Sequence, residues 1–240
     1  MDFMGKTALI TGASVGIGRA AAIEFARHHA DLVLLDVDFA RLESVKEELS
    51  AYPVRVEIYE CDISDEAKVN EVCADAILRM GKIDILVNNA GIWRHYCLFE
   101  ESESSIWRRK IDVNILGTLY VTRALINPML ERGWGRIINV ASVAGVYGNA
   151  KMADYSLTKG AIIAFTSALA KEVTERGVLV NAVSPGSVSD GEETTPSALS
   201  FMGRTGSHRE NANLICFLAS EEASYIAGQN IQIDGCRRKM

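Results

Sequence analysis

The sequence predicts a doubly wound parallel β-sheet with helices on both faces, folded as one α/β domain. Three observations carry that expectation. Short apolar runs alternate with segments of helical spacing almost from end to end. The first run passes into the first helix through a glycine-rich turn, Thr11-Gly-Ala-Ser-Val-Gly-Ile-Gly18. No linker, repeat or low-complexity stretch divides the 240 residues, a length one such domain commonly fills.

Taken in order, residues 7–10 (TALI) read as a buried strand and residues 19–30 as a helix, with Ala22, Ile23, Phe25 and Ala26 at helical spacing. His28 and His29 fall at that helix's C-terminus, where partial positive charge is welcome. Residues 32–36 (LVLLD) form the second strand. A polar helix follows over 38–50, burying Leu42, Val45 and Leu49. Residues 54–61 alternate like a strand, 65–80 form a helix with Asp65 and Glu66 in its first turn, and 83–87 give a fourth strand. Residues 102–132 read as one or two long helical segments that Pro128 can bend. A fifth strand over 135–141 delivers Ser142, and a helix over 154–176 carries Tyr155 and Lys159. A sixth strand covers 178–183, a short helix 211–219 and a last strand 230–233. Strand and helix in strict alternation imply right-handed crossovers and a Rossmann-type sheet.

Composition narrows the function. Hydrophobic residues are 48% and charged residues 23%, ordinary for a globular domain. The net charge of −6 argues against a nucleic-acid surface, and the one compact basic cluster is Arg237-Arg238-Lys239. No apolar run reaches the ~18–20 residues of a membrane span, and the first residues are no signal peptide. The five cysteines (61, 73, 97, 216, 236) are odd in number and contain no C-x-x-C pair. They read as reduced thiols of a cytoplasmic protein, mostly as small core residues. No metal is expected, since His95 lacks a clustered partner.

The chemistry starts at the glycine turn. Strand, glycine turn and helix together hold a dinucleotide pyrophosphate, because N–H groups at a helix N-terminus face the anion and absent side chains let it approach. Gly12, Ser14, Val15, Gly16, Ile17 and Gly18 are therefore candidate cofactor contacts. Asp36 ends the second strand eighteen positions after Gly18, where an acid would hold the adenine-ribose hydroxyls. That carboxylate would repel a 2′-phosphate, Val15 offers no charge to bind one, and Arg19 and Arg41 are the nearest cations. NAD is expected over NADP. Asn88-Asn-Ala-Gly91 ends the fourth strand, either as a simple turn or in the ligand crevice at the carboxyl ends of the strands. Tyr155 and Lys159, four apart on a helix, share a face. A tyrosine ordinarily titrates near ~10, and an ammonium beside it would favour the phenolate. Ser142 can donate to the same substrate oxygen.

These pieces, with Asp62, Asn114 and Pro185-Gly186, make the whole chain resemble the short-chain dehydrogenases/reductases of the single-domain kind, and in overall pattern the 3-oxoacyl-acyl-carrier-protein reductases. The resemblance implies Tyr155 as general acid/base, Ser142 as polariser of the substrate oxygen, Lys159 on the nicotinamide ribose, and Asn114 holding a water in a proton relay. It places Asp62 and Ile63 at the adenine, Asn88, Ala90 and Gly91 along the cofactor, and Pro185, Gly186 and Val188 by the nicotinamide. It also implies a homotetramer or homodimer and a substrate lid over 190–210. Where the family carries a carboxamide-binding Thr, this chain has Asp190. Trp93 and Tyr147, with Met152, are expected to border the substrate. Arg94 is either an exposed loop arginine or a partner for an anionic substrate.

Three functions follow from this reading. The first is an NAD(H)-dependent oxidoreductase of secondary alcohols and ketones. The second is an NADPH-dependent 3-oxoacyl-acyl-carrier-protein reductase, a group that usually has a basic residue where Val15 stands. The third is a non-catalytic NAD-binding regulator, against which the intact Asn114, Ser142, Tyr155 and Lys159 argue.

Overall fold

The computed structural model describes residues 1–191 and 193–238. Glu192 of the expected lid and Lys239 of the basic cluster lie outside them. Seven strands form one parallel sheet in the order β3-β2-β1-β4-β5-β6-β7. The strands are β1 (Thr7–Thr11), β2 (Asp31–Asp36), β3 (Val56–Glu60), β4 (Ile85–Asn88), β5 (Gly135–Val140), β6 (Val178–Pro185) and β7 (Asn230–Ile233). Strand order reverses between β1 and β4, so their carboxyl ends diverge and leave a crevice.

Alternation within the strands supplies two cores. Ala8 and Ile10 of β1 and Leu32 and Leu34 of β2 face one way, against α1 (Gly16–Arg27), α2 (Phe39–Leu49) and α8 (His208–Ala219). Leu9, Val33 and Leu35 face the other, against α3 (Glu66–Met80), α5 (Thr118–Arg132) and α7 (Ala153–Val173). Burial on both faces explains why the central strands read as continuous apolar runs.

Local chemistry sets the helix ends. Asp38 caps α2 through the Arg41 amide at 3.1 Å, and Asp65 caps α3 through the Lys68 amide at 3.1 Å. α8 starts three residues earlier than its apolar pattern suggests, because Ser207 and Glu210 form a capping box. The long helical stretch is α4 (Ser104–Ile111), a π turn at Asp112–Gly117 and α5, with Pro128 accommodated inside α5. A five-residue helix, α6 (Val143–Tyr147), follows β5 and has no counterpart in the sequence reading. Cys61, Cys73 and Cys216 are buried, Cys97 is half-buried and Cys236 is exposed, all as free thiols. Among the described residues no helix is long and apolar enough to cross a membrane.

Candidate active site

At the carboxyl ends of β1, β2, β4, β5 and β6 lies one cavity of about 940 Å³. Its wall at one end is the glycine turn. Gly12 has φ +64°, a conformation that favours glycine, and a Cβ there would sit 2.8 Å from Ala90 Cα. A Cβ on Gly18 would come within 2.0 Å of the Gly12 carbonyl oxygen, so Gly18 closes the turn from behind rather than lining the cavity. α2, α3 and α8 have side-chain caps, whereas α1 has Val15 at its N-cap and no side-chain cap. Its first N–H groups are left for a ligand at a wall made of Gly12, Ser14, Val15, Gly16 and Ile17. That is the cradle a pyrophosphate requires.

Hydrogen bonds tie the neighbouring loops to this turn. Thr11 Oγ1 accepts the Asn89 and Ala90 amides, each at 3.0 Å. The Asn89 side-chain amide donates to the Thr11 and Gly12 carbonyls at 3.0 and 2.9 Å. The Asp36 carboxylate accepts the Ser14 amide at 3.0 Å and the Asp38 amide at 3.1 Å, joining the end of β2 to the turn. Arg19 points away and forks onto Glu48 at 2.9 and 2.8 Å, while Arg41 stays at the cavity wall beside Asp38 at 3.2 Å. Asp62 is also at the wall, paired with Arg109 at 2.6 Å, and hydrogen bonds from Ser64 with that guanidinium hold its carboxyl below the usual range against the cost of burial. Ile63, Ala90, Gly91, Pro185, Gly186 and Val188 complete the wall expected of a cofactor site.

The other end gathers the reactive groups. Ser142, Tyr155 and Lys159 line the same cavity with Trp93 and Met152. Ser142 is the N-cap of α6, its Oγ accepting the Ala144 amide at 3.1 Å, which fixes the hydroxyl at the end of β5. Lys159 is buried; its Nζ donates to the Val140 carbonyl at 2.6 Å and lies 5.8 Å from the centre of the Tyr155 ring. Burial pulls the ammonium down to about 8. Burial also pushes the Tyr155 hydroxyl up to about 12, against a hydrogen bond with Ser142 that works the other way. The expectation that Lys159 lowers the Tyr155 pKa is therefore not met in this state. Desolvation of the phenolate outweighs it, and Lys159 is itself held on a backbone carbonyl.

Four expected contacts sit elsewhere. Asn88 turns from the cavity and donates to Thr122 Oγ1 at 3.0 Å and Asn139 Oδ1 at 2.9 Å behind the sheet. As the last residue of β4 it faces opposite to Asn89, the residue that holds the turn. Gly18 backs the glycine turn as described. The Tyr147 hydroxyl bonds Gln232 on β7, and Tyr147 is not part of the cavity wall. Asn114, in the π turn, is buried off the wall. Its side chain accepts the Ile92 amide at 2.7 Å and donates to the Ile92 carbonyl and Thr158 Oγ1, while its carbonyl accepts the Thr118 hydroxyl at 3.0 Å. It remains close to the site, since a Cβ on Gly91 would stand 3.3 Å from both Asn114 Oδ1 and Lys159 Nζ.

Arg94 does not line the cavity; it stacks on Trp93, 5.5 Å from the ring centre. Asp190 does line it, and so do Asn149, Tyr96, His208 and Arg237, which the motifs do not point to. His208 Nε2 would lie 3.8 Å from a Cβ on Gly16, bringing the start of α8 against the glycine turn.

Comparison with known proteins agrees with this geometry. The family model described as short chain dehydrogenase matches residues 6–197. The chain is 38% identical over 243 residues to the 3-oxoacyl-acyl-carrier-protein reductase of Thermotoga maritima, covering 98% of each chain. It is 32% identical to the 2-dehydro-3-deoxy-L-rhamnonate dehydrogenase (NAD(+)) of a Sphingomonas species, covering 98% of this chain and 96% of that one. A solved structure of NAD⁺-bound xylitol dehydrogenase superposes with a TM-score of 0.93 at 31% identity, covering 98% of this chain and all of that one. The chain belongs to the short-chain dehydrogenase/reductase family.

Proposed function

We propose that this oxidoreductase transfers a hydride between NAD(H) and a secondary alcohol or its ketone, with Tyr155 as general acid/base. The observation that carries the reading is one continuous cavity with an uncapped helix N-terminus and Asp36 at one end, and Ser142, Tyr155 and Lys159 at the other. Gly12, Ser14, Val15, Gly16 and Ile17 would hold the pyrophosphate, Asp36 the adenine ribose, Asp62 and Ile63 the adenine. Ala90, Gly91, Lys159, Pro185, Gly186 and Val188 would hold the nicotinamide half. The bound nicotinamide supplies or accepts the hydride. Ser142 orients the substrate oxygen by hydrogen bonding to it. Tyr155, protonated at neutral pH, gives its proton to that oxygen in reduction and recovers it in oxidation. Asn114, locked between Ile92 and Thr158, positions the Gly91 loop against Lys159.

The residues around Asp36 support NAD over NADP. Both carboxylate oxygens are fixed by backbone amides, Val15 carries no charge, and Arg19 is occupied by Glu48. The names of the sugar-acid dehydrogenase relative and of the xylitol dehydrogenase structure agree with that preference. A second reading, an NADPH-dependent 3-oxoacyl-acyl-carrier-protein reductase, is favoured by the identity to the Thermotoga enzyme and by Arg41, a cation at the cavity wall beside Asp38. Fluorescence titration with NADH and NADPH side by side separates the two. Tighter NADH binding by about tenfold or more is expected, and tighter NADPH binding would overturn the assignment of Asp36.

Residues 190–210 serve as the substrate lid of a single domain, with Asp190 and Leu199 at the cavity wall. An apolar recess on α5 and α7 (Leu119, Ile126, Phe165, Leu169) supports assembly into a homodimer or homotetramer through these helices. A cytoplasmic location fits the free buried thiols.

A further inference from the structure

The C-terminal tail returns across the substrate end of the cavity. Backbone hydrogen bonds fix it to residues 199–202: the Phe201 amide donates to Cys236 at 2.9 Å, the Met202 amide to Gly235 at 3.2 Å, and the Arg238 amide to Leu199 at 2.9 Å. Ser200 and Arg237 face one another as an antiparallel bridge. Cys236 and Arg238 are exposed, with Arg238 stacked 4.6 Å over the Phe201 ring on the outside. Arg237, between them, is half-buried at the cavity wall and donates to Asn149 Oδ1 at 3.2 Å.

That one bond leaves most of a guanidinium's five donors unused. Among the described residues no carboxylate lies within ion-pair distance of it, although Asp190 lines the same cavity. The same cavity is lined by Trp93, Met152, Leu199 and Tyr155. A neutral substrate filling that space would strip water from an unpaired cation, which is unfavourable, whereas a carboxylate would satisfy it with charge-assisted, bidentate hydrogen bonds. Asn149, which accepts from Arg237, is itself held by its amide to Ser156 Oγ at 3.2 Å, and Ser156 is the neighbour of Tyr155 in sequence.

We propose that Arg237 is a specificity-determining residue that selects substrates bearing a carboxylate near the reacting carbonyl or alcohol. The proposal rests on the reading of the Tyr155 end as the substrate end. Arg94, the loop arginine, has no part in it.

The test compares 4-oxopentanoate and 5-oxohexanoate with their methyl esters, on the NADH complex, by kcat/KM and by binding to that complex through tryptophan fluorescence. The carboxylates should be preferred by at least about tenfold, the worth of a charge-assisted hydrogen bond, mainly through KM. Arg237→Gln should bring the acid-to-ester ratio close to one, and Arg237→Lys should restore part of it. A merely structural tail residue would move acid and ester together and leave the ratio unchanged. Equal binding of acid and ester by the unaltered protein, or an unchanged ratio in Arg237→Gln, would overturn the proposal. Turnover of the esters with NADH upholds the oxidoreductase reading in either event, and failure of NADH itself to bind would count against that reading rather than against Arg237.

Discussion

Lys110→Met probes a support of the catalytic helix that lies outside the cavity. Lys110 is fully buried on α4 and its ammonium meets the Asp154 carboxylate at 2.6 Å, the two side chains 1% and 12% exposed. The other Asp154 oxygen accepts the Tyr155 amide at 2.7 Å, so this ion pair fixes the first turn of α7, where Tyr155 sits. Met matches the volume but removes the charge and leaves a largely buried carboxylate without its counter-charge. Breaking one side of a buried pair costs about 3–5 kcal/mol, and at 2–4 °C per kcal/mol for a chain of this size Tm should fall by roughly 6–20 °C.

Urea unfolding and thermal melts at one fixed protein concentration measure that loss. The double replacement Lys110→Met with Asp154→Leu should be less destabilised than Lys110→Met alone, because it removes the stranded charge and loses only the hydrogen bond to Tyr155. In the single variant kcat should drop while NADH affinity holds, since the cradle is built from β1, β2 and β4. A loss below about 1 kcal/mol, or a double variant weaker than the single one, would refute this account of how α7 is held.

Two further outcomes are expected. Tyr155→Phe should cut kcat by a factor of about 10² to 10⁴ with NADH binding preserved; in the unaltered protein, reduction should be flat between pH 6 and 8 while oxidation climbs, as stopped-flow rates in both directions would show. Lys159 is deprotonated near 8 in the folded chain and near 10.5 when unfolded, so unfolding takes up a proton between those values. Its contribution to stability therefore rises with pH through that window, and the penalty is full below pH 8. The Tm of Lys159→Met should lack that rise when melts at pH 7.5 and 9.5 are compared with the parent protein.

Much of this was legible because sheet burial writes itself into composition. Strands covered on both faces appear as runs such as LVLLD at 32–36, and the glycine turn is spelled by spacing alone. The misses have physical causes. Asn88 and Asn89 are chemically identical neighbours, and only the strand's two-residue alternation decides that Asn89 grips the turn while Asn88 joins Asn139 behind it. Tyr147 sits beside the site in sequence but turns to Gln232, eighty-five positions on. Lys110 finds Asp154 across forty-four positions and Arg237 finds Asn149 across eighty-eight, distances no local pattern encodes. α6 is too short for a helical period. The start of α8 was written in the sequence, since Ser207 and Glu210 have capping-box spacing, but the apolar periodicity begins later.

Desolvation moves the two titratable groups at the centre of the site in opposite directions, and that bears on its direction of working. With Tyr155 near 12 and Lys159 near 8, the resting state at neutral pH is a neutral phenol beside a mostly protonated amine. Such a site already holds the proton that a ketone oxygen must receive. Working as a base, Tyr155 would first have to give that proton up, against the desolvation that disfavours its phenolate. The Lys159 ammonium cannot offset much of this while it stays on the Val140 carbonyl, 5.8 Å from the ring centre. On the proposed chemistry, positive charge entering the cavity with a ligand would favour oxidation at neutral pH, whereas reduction would need the substrate oxygen to reach Ser142 and Tyr155. A guanidinium at Arg237 belongs to the same logic: it is charge the protein supplies in advance, at the end of the cavity where the substrate is read.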